Sequence, residues 1–163
     1  HTQRRRQRQM CIRDSHNDLN RTLDYDDYRT EIFNGGVLQI GIARDGEPSF
    51  EIPEESPDFG LKVAAYYYWI YPGLMLNFYP WGLSVNLVLP LSVDRTRIEY
   101  YGFVWDKKFL GKGAGGDLDK VEEEDQFVVE STHRGVSSVS YERGRYSPSK
   151  EIGVHHFHQM LSS

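Results

Sequence analysis

Apolar and polar positions divide this chain into a strand-rich body and a helical end. Residues 28–33 and 37–43 are strand-length segments joined by Asn34-Gly35-Gly36, a turn sequence that favours a hairpin. Residues 43–60 collect Gly, Pro, Asp, Glu and Ser and read as a surface loop. Strand-like runs follow at 63–71, 74–79, 83–91 and 95–105, separated by Tyr71-Pro72-Gly73, Pro80-Trp81-Gly82 and Ser92-Val93-Asp94. Connections this short force antiparallel neighbours, because a parallel pair needs a crossover of about a dozen residues. The pattern therefore predicts an antiparallel meander with one face open to a covering helix.

The period changes after a loop at 111–119. Leu118, Val121, Val128, Val129 and Val136 draw one stripe at the helical spacing, predicting a helix over 118–136 that Gly135 interrupts near its end. Asp125 projects into that stripe, whereas Asp119, Glu123 and Glu130 fall on the opposite side. A carboxylate among apolar neighbours loses its hydration and needs a cation, a hydrogen-bond network or a proton. Pairing with a base such as Arg134 and coordination of a metal both satisfy it. Residues 137–149 are polar and irregular, and a short final helix spans 152–161. A curved antiparallel sheet closed by a C-terminal helix is an α+β arrangement, and a cavity between the two layers favours apolar and aromatic linings. Tyr66, Tyr68, Leu76, Phe78 and Trp105 are the candidate lining residues, with ordinary core packing as the alternative for each.

Composition narrows this picture. The 163 residues suffice for one domain and one core, and 39% hydrophobic with 13% aromatic content is globular. Apolar runs stay well short of the roughly 18 residues of a membrane span. The single Cys11 excludes an internal disulfide and any multi-cysteine zinc or iron–sulfur site within this chain, and accords with a reducing cytoplasm. Residues 1–15 carry five Arg and one Asp, a charge of +4 in a chain of −5, so the remainder carries −9. This basic arm lacks the apolar core of a signal peptide. It reads as a translated adapter joined to an incomplete reading frame, leaving 16–163 as the domain proper. On that reading the arm implies neither nucleic-acid nor membrane partners.

Two motifs fail on context. Gly111-Lys-Gly-Ala-Gly-Gly116 has the dinucleotide-binding spacing, but it leads into Asp117 and further acids and no βαβ unit surrounds it. It reads as a loop. His155, His156 and His158 lie close together without a Glu or Cys at metal-site spacing, which favours surface or packing histidines.

Several strings in order resemble one family. They are His16 to Asn20 (His-Asn-Asp-Leu-Asn), Leu23 to Glu31, Tyr71 to Pro80, Gly82 to Pro90, Glu124-Asp125 with Glu130 and Arg134-Gly135, Tyr141 to Tyr146, and Val154 to His158 (Val-His-His-Phe-His). Together they resemble the catalytic domain of the alpha subunit of Rieske non-haem iron oxygenases, in the branch with choline- and carnitine-type monooxygenases. The resemblance implies a helix-grip fold, a curved antiparallel sheet on a long C-terminal helix. It also implies a mononuclear Fe(II) held by two His and one Asp, the facial triad of such oxygenases. On this chain the implied metal ligands are His16 and Asp125. The first His of the family's pair would stand where this chain has Cys11, and the Rieske [2Fe-2S] domain, which needs two Cys and two His, has no counterpart. The expectation is a fragment, inactive as given, of a parent that takes O2, electrons from a reductase or ferredoxin, and an aromatic or quaternary-ammonium substrate, assembled as a trimer. A metal-free helix-grip module binding a small molecule is the alternative.

Overall fold

In a computed structural model, residues 21–162 are described. Six strands form one sheet in sequence order: β1 (Leu23–Phe33), β2 (Gly36–Ala43), β3 (Val63–Ile70), β4 (Leu74–Tyr79), β5 (Gly82–Ser92) and β6 (Arg95–Val104). Every neighbouring pair is antiparallel, as the short connections require. Helices α1 (Leu118–Val136) and α2 (Ile152–Ser162) follow, after short helical turns at Lys107–Phe109 and Gly113–Gly115. The fold is the expected α+β arrangement, an antiparallel sheet with a helix packed on it. β1 begins earlier than its apolar residues suggest, because Leu23 is a core residue at 1% exposure while Asp26 and Asp27 face solvent.

The register sorts side chains into two faces. On one, Gln39, Tyr67 and Asn77 stand side by side across β2, β3 and β4, and Val37, Trp69 and Met75 form the next row. At the end of this face Leu23, Ala43, Ala65, Tyr79 and Trp81 make a buried cluster, closed by Ala114 of the glycine-rich loop and by Leu118 at the start of α1. The Tyr79 and Trp81 rings stack at 5.4 Å. Gly115 lies against both: a Cβ there would come within 2.7 Å of Tyr79 and Trp81 atoms. The glycine spacing that mimics a nucleotide motif therefore serves close packing on aromatic rings.

The opposite face carries Tyr66, Tyr68, Leu76 and Phe78. Phe50, Ile52 and Leu61 of the 44–62 connection cover its β2–β3 part, over Ile40, Ile42 and Val63. Beyond that cover, Tyr68 meets Phe78 edge-on at 5.9 Å, Phe78 stacks on Trp105 at 6.4 Å, and Phe103 and Trp105 are exposed.

The two helices differ in how they meet the sheet. α2 packs on it, with Phe157 against Trp69 and Gly153 against Val37. α1 spans the expected residues and runs through Gly135, but buries none of its side chains, and Phe127, Val129 and Val136 of its apolar set are exposed.

Candidate functional site

The cavity lies between the sheet and α2, on the face of Tyr67 rather than that of Tyr66. Its volume is about 260 Å³. The floor consists of the Val37, Trp69, Met75 row and the Gln39, Tyr67, Asn77 row, and α2 supplies Gly153, Val154 and Phe157 as the roof. This corrects the expected lining. Tyr66, Leu76, Phe78 and Trp105 do not line it, and Tyr68 alone of the five does. The physical reason is parity: successive strand residues point to opposite faces, and β3 and β4 carry large apolar residues on both.

The roof is anchored by one ring contact. Phe157 meets Trp69 edge to face with centroids 4.7 Å apart and planes at 86°. Such a pair stabilises by about 0.5–1.5 kcal/mol beyond the area it buries. The indole and phenyl faces around the cavity present negative quadrupole charge, the surface that attracts an organic cation.

The polar row adds hydrogen-bonding groups to an otherwise apolar chamber. Tyr28 donates from its hydroxyl to Gln39 Oε1 at 3.2 Å. The Tyr67 and Tyr25 hydroxyls are buried without a hydrogen-bond partner among the described residues. The Tyr79 phenol is near enough to polarise Tyr67, yet its geometry falls short of a hydrogen bond. Burial pushes all four phenols up, Tyr25 to about 12, so all stay neutral at physiological pH. Gln39 within an apolar β2 and Asn77 within an apolar β4 were visible signals of this row; the row itself needed the register.

Asp125 lies on the exposed surface of α1. This differs from its expected place within a buried stripe, because α1 does not press that stripe into the sheet. Its charge nonetheless reaches the sheet side: burial first, then Glu122 and Asp125, raises the Tyr100 phenol of β6. Glu122 is itself raised, by burial and then by Asp119 and Asp125. Arg134 is held by Glu130 at 3.9 Å and by Ser131 at 3.0 Å. The nine-residue separation puts it about 13 Å along the helix from Asp125, so it is not the partner once considered.

His16 lies outside the described residues, as does Cys11. Among the described residues no three His, Cys, Asp or Glu side chains converge on a metal-sized space. The α2 histidines do not converge either. His158 Nδ1 bonds the Tyr146 hydroxyl, His155 meets the Tyr146 ring edge-on at 5.2 Å, and His156 Nε2 is buried without a described partner. The described donor set therefore does not by itself compose an iron site. No described helix is long and apolar enough to cross a membrane.

Comparison with known proteins adds a family. Residues 39–163 match the model for the ring hydroxylating alpha subunit, catalytic domain. The chain is 34% identical over 155 residues to the chloroplastic choline monooxygenase of Arabidopsis thaliana, covering 90% of this chain and 34% of that protein. It is 30% identical over 145 residues to the Beta vulgaris choline monooxygenase, covering 85% and 30%. The carnitine monooxygenase oxygenase subunit of Escherichia coli is 26% identical over 160 residues, covering 91% and 41%. The chain thus spans about a third of the length of the choline monooxygenases it matches. The solved structure of a quaternary ammonium Rieske monooxygenase, one that acts in carnitine oxidation by gut microbiota, has the same fold. It superposes with a TM-score of 0.65 at 21% identity over 93% of this chain and 42% of that one.

Proposed function

The chain belongs to the ring-hydroxylating alpha-subunit family through its catalytic domain, and from that premise we propose that it is part of an oxygenase subunit whose intact parent hydroxylates a quaternary ammonium compound. The observation that carries this reading is the coincidence of the family match with a chamber walled by Trp69 and Phe157. A trimethylammonium group is weakly hydrated and cannot donate a hydrogen bond, so aromatic faces hold it through cation–π attraction. The choline and carnitine monooxygenases among the relatives support that substrate class over an aromatic ring. A metal-free binding module has no comparable support.

His16 and Asp125 are the proposed ligands of a mononuclear Fe(II) in the parent, an imidazole and a carboxylate of the two-His-one-carboxylate set. Since the described residues do not assemble that site, no catalytic step is derived through it. The part assigned to this chain's own residues is substrate capture: the Val37, Trp69, Met75 row and Phe157 exclude water and seat the cationic head. Electrons from a reductase or ferredoxin and a Rieske cluster from a domain outside this chain complete the proposal, with trimeric assembly of the parent.

The test is oxygen uptake by the parent subunit, expressed with its native upstream sequence and given its reductase. Choline or carnitine should stimulate uptake and yield a hydroxylated product in proportion. A parent that binds iron yet consumes oxygen with no quaternary ammonium compound would overturn the substrate class.

A further inference from the structure

The two outer edges of the sheet are built differently. β1 is bulged between Asp24 and Arg29 and exposes Asp26, Asp27, Arg29 and Glu31, features that keep an edge from recruiting another strand. β6 pairs with β5 in unbroken register from Thr96 to Val104, holds no Pro or Lys, and exposes Ile98, Tyr100, Tyr101, Phe103 and Val104. Trp105 turns its N–H inward, to the Trp81 carbonyl at 3.0 Å. Alternate residues of an edge strand face its one neighbour, so Val104, Gly102, Tyr100, Ile98 and Thr96 turn their backbone groups outward. Pro90, which has no N–H to give, stands opposite Thr96, where this alternation requires none. A regular row of outward N–H and C=O groups is a template for strand addition.

We propose that β6 is the pairing surface for a second copy of this chain, joined antiparallel about a two-fold axis at Tyr100 into one continuous sheet. The strand is self-complementary in that register. Arg95, Arg97 and Glu99 of its first half share a face with Tyr101, Phe103 and, just past its end, Trp105. About Tyr100, Arg97 stands opposite Phe103 of the second copy, Arg95 opposite its Trp105 and Glu99 opposite its Tyr101. Guanidinium groups are attracted to aromatic faces. A Tyr101 hydroxyl suits Glu99, to which it already donates within one chain at 2.9 Å. An axis one residue earlier would set Glu99 against Glu99, and like charges directly opposite destabilise a strand pair. About Tyr100 the outward residues also meet one another, Ile98 with Gly102 and Thr96 with Val104, so their backbone groups gain partners. One patch serves both copies, and assembly closes at the dimer. This pairing does not rest on the oxygenase reading.

Sedimentation equilibrium and amide hydrogen exchange on the 163-residue chain, at about 0.15 M salt to screen distant charges, test this. A single strand pairing is a small interface, so the mass should rise from one chain to two across about 1–100 μM. Over that range the amides of Ile98, Tyr100, Gly102 and Val104 should gain protection. Substitutions at the exposed Tyr101 read the register and should leave the fold intact. Tyr101→Lys sets a cation against Glu99 of the second copy and should dimerise at least as well as the unaltered chain. Tyr101→Glu sets two carboxylates face to face on each side of the axis and should raise the dissociation constant about tenfold. A monomer at every concentration, a dimer whose β6 amides stay unprotected, or Tyr101→Glu dimerising as well as the unaltered chain would overturn the proposal. So would a monomer with those amides protected at every dilution, because a segment of the chain itself would then cover the edge.

Discussion

The rings of Phe157 and Trp69 meet edge to face with centroids 4.7 Å apart, and through this contact α2 is held over the centre of the sheet. Phe157 is half-buried, so its loss removes less than the ~3–5 kcal/mol of a fully buried phenylalanine. Phe157→Ala should destabilise by about 2 kcal/mol. It should also free α2 for proteolysis while the sheet remains intact. Urea denaturation and the site of first proteolytic cleavage read the two effects; unchanged protection of 152–162 would refute the anchoring role.

Gly115 and Gly135 should respond to alanine with opposite signs. At Gly115 the new methyl would lie 2.7 Å from Tyr79 and Trp81, two stacked rings with little room to retreat. Overpacking of this kind destabilises by about 1–3 kcal/mol. Gly135 sits near the end of α1 with nothing within 4 Å of a Cβ, so Gly135→Ala should stabilise by about 0.5–1 kcal/mol through helix propensity. Equal midpoints for the two variants in chemical denaturation would contradict the packing assigned to the glycine-rich loop.

Alkali should unfold this protein through its buried phenols. Tyr28, Tyr67 and Tyr79 are raised by burial, so between the ordinary phenol value of about 10 and their folded values the native state binds more protons than the unfolded chain. Unfolding free energy falls with pH wherever that holds. The stabilisation is therefore fully present below pH ~10 and is lost as pH rises above it. Phenolate absorbance should show the exposed tyrosines ionising first and the buried set only together with loss of the far-ultraviolet sheet signal. Smooth titration of all tyrosines before unfolding would show the cluster to be open to water.

Asp125 in the parent subunit is proposed to hold iron, and Asp125→Ala should lower iron content there by at least half while leaving the Rieske cluster's absorbance intact. The neighbouring Glu123→Ala, on the same exposed helix, should leave iron content unchanged. Metal analysis of both variants distinguishes a ligand from a generally acidic surface.

Much of the architecture was legible in the chain because turn chemistry acts locally. Asn34-Gly35 with Gly35 at φ 83°, Tyr71-Pro72-Gly73 and Pro80-Trp81-Gly82 mark reversals that neighbouring residues alone dictate, and, the early start of β1 apart, the strands and both helices fall where those signals and the two periodicities place them. The family followed from ordered strings that span most of the chain, and residues 39–163 match it. What sequence reasoning missed depends on distant partners. Alternation in β3 and β4 marks two faces without saying which one α2 covers, since Tyr66 and Tyr68 are as bulky as Tyr67 and Trp69; the cavity was therefore assigned one residue out of register. The stripe of α1 likewise showed which side of the helix could pack, but an amphipathic pattern cannot supply a surface for it to pack against, and Asp125 lies exposed. Local chain chemistry set the elements and their order. Only tertiary packing decided which face of the sheet became a chamber, because burial depends on what arrives from elsewhere in the chain.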